Sequence, residues 1–489
     1  MTSSITPITL VPNWAASAEP FRHTWEGVVN IDQFRWMVRK DCLEQLAQAK
    51  AELGATHVRA VGMYCDELRV FGNDPTWFGT KGPHAPRLNW QLVDYVIDEL
   101  AEIGLAPQFT TCFTPSHMAS GEMTCFSTKS RTSPPKDYAA WEQLVFDSVT
   151  HQIGHRGAAT VRNWWFEVWN EPNLSPPFFG GDQREFFKLW ECTYRAIKRV
   201  DPTLRVGGPS AARAEWVGDL LDFGRKNDCE PDYIIAHCYN NDSVGAPLSP
   251  FDGPQSDKEN LSPHFFSGVV RGVRKVLDQA SYRGPVMWNE WGRSWHPYSA
   301  ARETASEAAW AVKSMAEVSQ LADSFGYWVL SDIYDQVGYG ASAFHGNYGM
   351  LSLHGLRKPI YHAFQLLTRL GTQRVPVSGT GLSAQVNAIA TRNGERRALL
   401  VYAITDDEAR GRIDVRVPGV PAGARLTRVC DGENDILAEW RAMGAPAYLT
   451  RDQQQHLHAR NGLSSTSVTV VDGTAHLTLD TPGIALIEW

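Results

Sequence analysis

The sequence lacks the patterns that mark several classes of protein. No run of 18 apolar residues occurs, so we predict no membrane-spanning helix. The eight cysteines form no CxxC pair and no metal-like spacing, so we predict reduced cysteines and neither a metal nor another cofactor. There is no Lys/Arg run, and the net charge is −8, which argues against nucleic acid as a partner. The first 12 residues lack a basic and then apolar leader, so we expect no signal peptide and a cytoplasmic location.

What is present is typical of a globular enzyme. The 489 residues are 43% apolar and 20% charged, which fits two domains or one large barrel with an addition. Aromatic residues are abundant, and several of the 18 tryptophans lie beside Asn-Glu pairs. Flat apolar rings at such positions are suited to stacking on sugars, although a core would also absorb them.

Strand and helix patterns alternate eight times before residue 371. Alternation of this kind indicates a parallel sheet, and eight units predict a closed (β/α)8 TIM barrel, an α/β fold, rather than a doubly wound open sheet. No GxGxxG fingerprint follows the first strand, which argues against a nucleotide cofactor. The predicted strands are Thr24–Val29, His57–Val61, Ala106–Thr110, Trp165–Asn170, Arg205–Gly207, Asp232–His237, Pro285–Asn289 and Phe325–Val329.

The sequence pattern changes after Gly371. Short runs of alternating apolar and polar residues, separated by turn residues, predict an accessory β-sandwich. We therefore predict a catalytic barrel over residues 14–371 and a sandwich over residues 372–489, joined by an N-terminal strand in residues 1–13. Residues 434–463 are predicted to be a helical or irregular insertion in the sandwich. The sandwich offers a surface on which an oligomer is possible.

Two predicted strands end in Asn-Glu between tryptophans. Glu171 follows the fourth strand and Glu290 the seventh, which places both at the catalytic face of a barrel. Pro172 disfavours helix at Glu171, and aromatic surroundings raise a carboxyl pKa as a general acid requires. Each glutamate alone is also compatible with an ordinary strand end. Together, two such carboxylates predict glycoside hydrolysis.

Residues 20–371 resemble glycoside hydrolase family 39, the β-xylosidase and α-iduronidase group of clan A, and are most like its bacterial β-xylosidases. Asn-Glu on the fourth strand marks only the clan, whereas the ordered set of segments marks the family. That set is Phe166–Leu174, Ala119–Gly121, Gly207–Ser210, His237–Tyr239, Asp323–Trp328, Ser331–Asp332 and Phe344–Gly346.

The resemblance implies a retaining enzyme with Glu171 as acid/base and Glu290 as nucleophile, about 5–5.5 Å apart. It implies that Asn170 binds the sugar 2-hydroxyl, that Tyr239 donates to Glu290 and that His237 orients substrate or the carboxylates; an ordinary strand-end pair is the alternative for the last two. Further substrate-binding candidates are Arg59, Phe113, Trp291, Trp295, Asp335, Phe344 and His345. For the first four, a core salt bridge or plain packing is equally compatible with the sequence.

Two segments depart from the pattern of the family's β-xylosidases. Arg59-Ala60-Val61-Gly62 stands where they usually carry Arg-Phe-His-Gly, and Asp335-Gln336 stands where a Glu-Glu pair is common. We therefore expect intact catalytic carboxylates with an altered sugar pocket.

Loops at 62–88, 111–136 and 240–262 are long enough to wall that pocket and favour exo action. An exo-acting β-xylosidase on an oligosaccharide or glycoside substrate is the leading hypothesis. A β-glucosidase, β-galactosidase or arabinosidase is the alternative, and a sugar-binding barrel or a metal-dependent hydrolase are the rivals from other classes. The last is disfavoured because no predicted strand ends in His-x-His.

Overall fold

A computed structural model of the chain describes residues 7–72, 87–242, 264–336, 338, 340–405 and 409–489. Within these ranges one sheet holds eight parallel strands in chain order. They are β1 (Val28–Gln33), β2 (His57–Val61), β3 (Ala106–Thr111), β4 (Trp165–Val168), β5 (Arg205–Ala211), β6 (Tyr233–Tyr239), β7 (Val286–Gly292) and β8 (Ser324–Tyr327).

Each strand is followed by a helix, which confirms the predicted (β/α)8 barrel. Two helices end at glycines in the left-handed region, Gly54 with φ 71° and Gly104 with φ 83°, as the sequence predicts. Among the described residues the barrel helices are α1 (Lys40–Leu53), α2 (Gln91–Ile103), α3 (Tyr138–Arg156), α4 (Gln183–Val200), α5 (Val217–Lys226), α6 (Phe265–Gln279), α7 (Ala305–Val318) and α8 (Pro359–Thr368).

Asn30 closes the barrel between its first and last strands. Its side-chain amide donates to the backbone carbonyl oxygens of Asn289 (2.8 Å) and Tyr327 (3.0 Å). The backbone carbonyl of Asn30 accepts from the backbone N–H of Leu330 (3.0 Å). The residue is fully buried, so these bonds form in a medium where an unmade hydrogen bond is costly. One amide side chain therefore joins β1 to β7 and β8.

Two strand boundaries differ from the prediction. The first strand begins at Val28 rather than Thr24, because Thr24–Glu26 form a 3₁₀ turn with Trp25 buried. The fifth continues past Gly207 to Ala211, although Gly-Gly-Pro is typical of a turn. A side chain at Gly207 would lie 2.4 Å from the ring of Tyr233, so glycine there permits close packing of neighbouring strands.

The predicted β-sandwich is confirmed: among the described residues it has a five-stranded and a seven-stranded sheet, formed mainly by the chain after the barrel. The strand Ile8–Pro12 belongs to the first sheet, between Val377–Thr380 and Gly411–Pro418, while residues 1–6 of the predicted N-terminal strand lie outside the described residues. The insertion contains helices Ile436–Ala442 and Arg451–Arg460.

The sandwich packs directly on the barrel. Glu19–Pro20 pair with Gln373–Val375 in the seven-stranded sheet, so the chain leaves the sandwich later than residue 13. Leu400 and Leu486 of that sheet belong to the same buried apolar cluster as the barrel. Over the ranges described, no helix is both long and apolar enough to cross a lipid bilayer.

Candidate active site

Glu171 and Glu290 lie at the same end of the barrel. Glu290 is near the end of β7, and Glu171 stands three residues beyond β4. The backbone after β4 is strained, with φ 67° at Trp169 and 46° at Glu171. Two bonds hold it there: the Glu171 N–H donates to the Ser210 carbonyl (2.8 Å), and the Trp169 indole donates to the Phe178 carbonyl (2.8 Å). This turn presents the Glu171 carboxyl from a fixed position.

His237 and Tyr239, both on β6, contact the two carboxylates. The His237 Nδ1 lies 3.0 Å from Glu171 Oε1 and 3.6 Å from Glu290 Oε2. The Tyr239 hydroxyl donates to Glu290 Oε2 over 3.1 Å. One oxygen of Glu171 and one of Glu290 lie within 4.8 Å of each other. The structure thus brings together four of the side chains identified in the sequence.

Arg59 on β2 joins a carboxylate of the site to the barrel core. Its Nη1 donates to Glu290 Oε1 (2.6 Å) and its Nη2 to Asn170 Oδ1 (2.6 Å). Its Nε and Nη2 also form a fork on Glu167, at 2.7 and 2.9 Å. The side chain is fully buried, so each bond is charge-assisted in a low-dielectric medium. Both interpretations offered for Arg59, a partner of the site and a core ion pair, describe it.

Glu167 is a site residue that the sequence analysis missed. It is fully buried on β4 and also accepts from the Gln108 amide (3.0 Å) and the Thr110 hydroxyl (2.9 Å). Burial works against its charge, but Arg59 outweighs burial and lowers the pKa of Glu167. A signal was available, because Glu167 is a charged residue inside an otherwise apolar strand.

Glu171 and His237 both have raised pKa values. Burial, reinforced by the charge of Glu290, raises the pKa of Glu171 above that of an ordinary glutamate. Burial disfavours the charged form of His237, but Glu290 and Glu171 together raise the pKa of this histidine. Glu290 accepts hydrogen bonds from both Arg59 and Tyr239. Burial thus favours the protonated form of Glu171.

A cavity of about 420 Å³ opens onto both carboxylates. Asn170, Tyr239 and Trp295 line it, together with side chains the sequence analysis had not singled out as site residues. Asn241 and Asp242 lie in the loop that begins after Tyr239 at the end of β6, on the catalytic face of the barrel. The remaining lining residues are mostly apolar or aromatic: Val61, Leu174, Phe178, Ala212, Arg213, Pro297, Trp328, Tyr334, Gln336 and Tyr348.

Phe113 and Trp291 do not reach this cavity. Both are fully buried. Phe113 packs edge-on against Trp169, with ring centres 5.4 Å apart, behind the strained turn. Trp291 stacks on Phe266 at 5.2 Å, on the helix side of β7. Successive side chains of a strand point to opposite faces, so Glu290 in the cavity places Trp291 outside it.

Asp335, Phe344 and His345 are also placed away from the cavity wall. Asp335 is buried in an ion pair with Arg35 (2.6 Å), while its neighbour Gln336 lines the cavity. Phe344 packs against Trp440 of the insertion, with ring centres 5.3 Å apart. The His345 Nδ1 lies 3.0 Å from the carbonyl oxygen of Ser342. None of the three is among the described residues that line the cavity.

Two groups in the described part of the chain have ligand spacing for a cation. The first is Glu171, His237 and Glu290, where the Arg59 guanidinium at 2.6 Å already supplies the positive charge that Glu290 needs. The second is Asp94, His151 and His155 on the barrel exterior, where Arg156 lies 3.1 Å from Asp94 in the same way. In both places an arginine occupies the position of a counter-ion.

The chain is similar in sequence to known glycoside hydrolases. The sequence profile described as glycosyl hydrolases family 39 matches residues 9–469. The chain is 33% identical to a β-xylosidase of Caldicellulosiruptor saccharolyticus, covering 91% of this chain and 90% of that one, and 27% identical to a β-xylosidase of Geobacillus stearothermophilus, covering 94% and 91%.

A solved structure has the same architecture. The monomeric β-xylosidase from Caulobacter crescentus CB15 superposes with a TM-score of 0.83 at 28% identity, covering 98% of this chain and 99% of that one. Both the barrel and the sandwich are therefore included in the likeness. The profile spans nearly the whole sequence, and the chain belongs to glycoside hydrolase family 39 and is a glycoside hydrolase.

Proposed function

We propose that the protein is a retaining, exo-acting β-xylosidase that works by double displacement. The observation that carries the proposal is the separation of the two carboxylates, whose nearest oxygens lie within 4.8 Å. Retaining enzymes hold their carboxyl groups about 5–5.5 Å apart, whereas inverting enzymes need about 6.5–9.5 Å to admit a water. The short separation favours direct attack by a carboxylate.

In the first step Glu290 attacks the anomeric carbon while Glu171 gives its proton to the leaving oxygen. Glu290 is suited to attack because the Tyr239 hydroxyl (3.1 Å) and Arg59 Nη1 (2.6 Å) fix its two oxygens separately. Burial raises the pKa of Glu171, which favours the protonated form that this step requires. The aglycone leaves as an alcohol and the sugar is held as an ester of Glu290.

In the second step a water replaces the aglycone. Glu171, now ionised, takes a proton from this water, whose oxygen attacks the anomeric carbon and releases Glu290. His237, with Nδ1 3.0 Å from Glu171, orients the acid/base in both steps. Both groups return to their starting protonation states, so the cycle consumes one water per bond.

Asn170 is suited to bind the sugar 2-hydroxyl. It lines the cavity, and its Oδ1 accepts from Arg59 Nη2 over 2.6 Å. With Oδ1 committed to Arg59, the Nδ2 group is the donor left for substrate. A hydrogen bond to the 2-hydroxyl that strengthens in the transition state supplies part of the catalysis in enzymes of this kind.

The glycone is proposed as xylose because the β-xylosidase relatives match over nearly their whole length. A second candidate, a β-glucoside, β-galactoside or arabinoside, is favoured by two cavity residues. Val61 places an apolar group where the family's β-xylosidases usually carry histidine. The Gln336 amide donates to Asp32 over 2.7 Å, which leaves less of it for a sugar hydroxyl.

A panel of aryl glycosides tests both parts of the proposal. Hydrolysis of the β-xyloside is compared with that of the β-glucoside, β-galactoside and α-arabinofuranoside, using Glu171→Ala and Glu290→Ala with azide. We expect turnover of the β-xyloside, with the β-azide formed by Glu171→Ala and the α-azide by Glu290→Ala. Turnover of another glycoside alone would reject xylose, and an inverted product from the wild type would reject the retaining mechanism.

A further inference from the structure

Three polar side chains line the catalytic cavity without a role in either step of the reaction. They are Arg213, which follows β5, and Asn241 and Asp242, which follow β6. In the sheet, β5 lies beside β4, whose end carries Glu171, and β6 lies beside β5. The leaving group must lie next to Glu171, because this residue protonates its oxygen. The three polar side chains are therefore candidates for contact with the leaving group.

The turn that carries Arg213 is fixed to the turn that carries Glu171. Asn173, two positions after Glu171, accepts from the Ala212 N–H (2.8 Å) and donates to the Ala212 carbonyl oxygen (2.9 Å). Its amide also donates to Glu215 over 2.9 Å. Between these two contacts Arg213 has φ 59°, in the left-handed region, and its Nε lies 2.9 Å from Glu215 Oε1. The guanidinium group is thus held at the cavity by the acid/base turn.

Asn241 offers a buried donor to the cavity. Its side chain is only 1% exposed, and its Oδ1 accepts from the backbone N–H of Trp295 over 3.0 Å. This bond fixes which end of the amide is oxygen and which is nitrogen. In the described part of the chain the Nδ2 group has no hydrogen-bond partner. A buried N–H group without a partner is costly, so its position at the cavity points to an acceptor on the ligand.

Asp242 adds an acceptor near the other two groups. Its Oδ2 accepts from the Tyr239 N–H over 2.7 Å, which leaves Oδ1 for a ligand. Burial raises the pKa of Asp242 to about 7; the charge of Glu171 adds to this rise and the charge of Arg213 opposes it. The carboxyl of Asp242 therefore interacts electrostatically with both the acid/base and the guanidinium group.

We infer that Arg213, Asn241 and Asp242 form a polar subsite that selects a sugar, rather than an apolar group, as the leaving group. Arg213 and Asn241 donate to hydroxyl oxygens of this sugar, and Asp242 accepts from one of its hydroxyls. An apolar leaving group would leave these buried groups unpaired, and sites of this kind reject ligands that lack the matching polar atoms. The inference rests on the proposed function and adds to it the class of leaving group, the second sugar of a β-linked xylo-oligosaccharide.

Two leaving groups of equal ring size test the subsite. Xylobiose releases xylose, whereas cyclohexyl β-xyloside releases cyclohexanol, which has no further hydroxyl group. kcat/KM is measured on both for the wild type, Arg213→Met and Asp242→Asn, and the ratio of the two values is compared, because this ratio does not depend on the fraction of enzyme that is folded. The control is Arg225→Met on helix α5. Arg225 is 37% exposed and Arg213 32%, and each lies 2.9 Å from a glutamate oxygen.

We expect the wild type to favour xylobiose over the cyclohexyl glycoside by about a hundredfold in kcat/KM. Arg213→Met and Asp242→Asn should each reduce this preference about tenfold, because each loses a charge-assisted hydrogen bond to a sugar hydroxyl. Arg225→Met should keep the preference of the wild type.

Two results would overturn the subsite while the proposed function stands. One is hydrolysis of both xylosides with an unchanged preference in Arg213→Met and Asp242→Asn. The other is a wild type that hydrolyses the cyclohexyl glycoside as well as xylobiose or better. If the wild type hydrolyses neither substrate and no aryl β-xyloside, the proposed function fails and the subsite with it.

Discussion

At the scale of single residues, we expect Glu171 to set the upper pH limit of activity. Its pKa is raised mainly by burial, so its acid form persists to a higher pH than that of an exposed glutamate. We predict that kcat/KM on an aryl xyloside with a poor leaving group falls as pH rises through this pKa. The pH profile of Glu171→Gln is measured on a dinitrophenyl xyloside, whose leaving group needs no protonation. In this variant the fall in kcat/KM at high pH should be absent. If that variant shows the same fall in kcat/KM at high pH, the fall is caused by a group other than Glu171.

Tyr239→Phe removes only the hydroxyl oxygen, and it tests the hydrogen bond from Tyr239 to Glu290. The hydroxyl donates to Glu290 Oε2 over 3.1 Å, and the ring lies in a buried aromatic cluster that phenylalanine preserves. We predict about a tenfold to hundredfold fall in kcat. The urea midpoint should stay close to that of the wild type. Tyr194→Phe, on helix α4, is the control, and a kcat in Tyr239→Phe equal to that of this control would contradict the role.

How far residues can be predicted from the sequence depends on whether their signal is local. Glu171, Glu290 and Tyr239 follow recognisable strands, and the structure brings all three to one cavity. Trp291 and Trp295 are equally aromatic and only four positions apart, yet one is buried and the other lines the cavity. The face on which a side chain lies, and the loop that covers it, depend on tertiary packing that a short pattern does not contain.

At the scale of elements, Asn30→Ala tests how the barrel is closed. The substitution removes the hydrogen bonds that the buried Asn30 side chain donates to the carbonyl oxygens of Asn289 and Tyr327. We predict a loss of about 2–4 kcal/mol in the free energy of unfolding, measured in urea, because buried acceptors are left unsatisfied. Asn393→Ala, at the exposed end of a sandwich strand, serves as the control. Equal stability of both variants would show that the barrel closes without Asn30.

Element boundaries follow the sequence where propensity and packing agree. Helix α4 spans Gln183–Val200, and the Asp182 side chain caps its N-terminus by accepting from the Glu185 N–H. The end of strand β5 is not predicted by the sequence, because Gly-Gly-Pro is typical of a turn. In the structure the strand continues through it, and Gly207 leaves room for the ring of Tyr233. Parts of two of the loops predicted to wall the pocket, residues 73–86 and 243–262, lie outside the described residues.

At the scale of the molecule, part of the seven-stranded sheet of the sandwich packs into the apolar cluster of the barrel, which predicts cooperative unfolding. Leu486 of the sandwich is fully buried in the cluster that includes the barrel. We predict that Leu486→Ala lowers the free energy of unfolding by about 2–4 kcal/mol. Activity and far-UV circular dichroism should be lost together in urea. Val471→Ala, 52% exposed on the other sheet, is the control. If activity persists at urea concentrations where part of the circular dichroism signal is already lost, the barrel and the sandwich unfold as two independent units.

The most direct test of the account is to trap the intermediate. A 2-deoxy-2-fluoro-β-xylosyl fluoride reacts in the first step of a retaining enzyme and slows the second, so the sugar stays on the nucleophile. Peptide mass spectrometry should find one added fluoroxylosyl group, on Glu290. A label on another residue, or an unlabelled enzyme that releases the inverted sugar, would contradict the mechanism proposed for the Glu171–Glu290 pair.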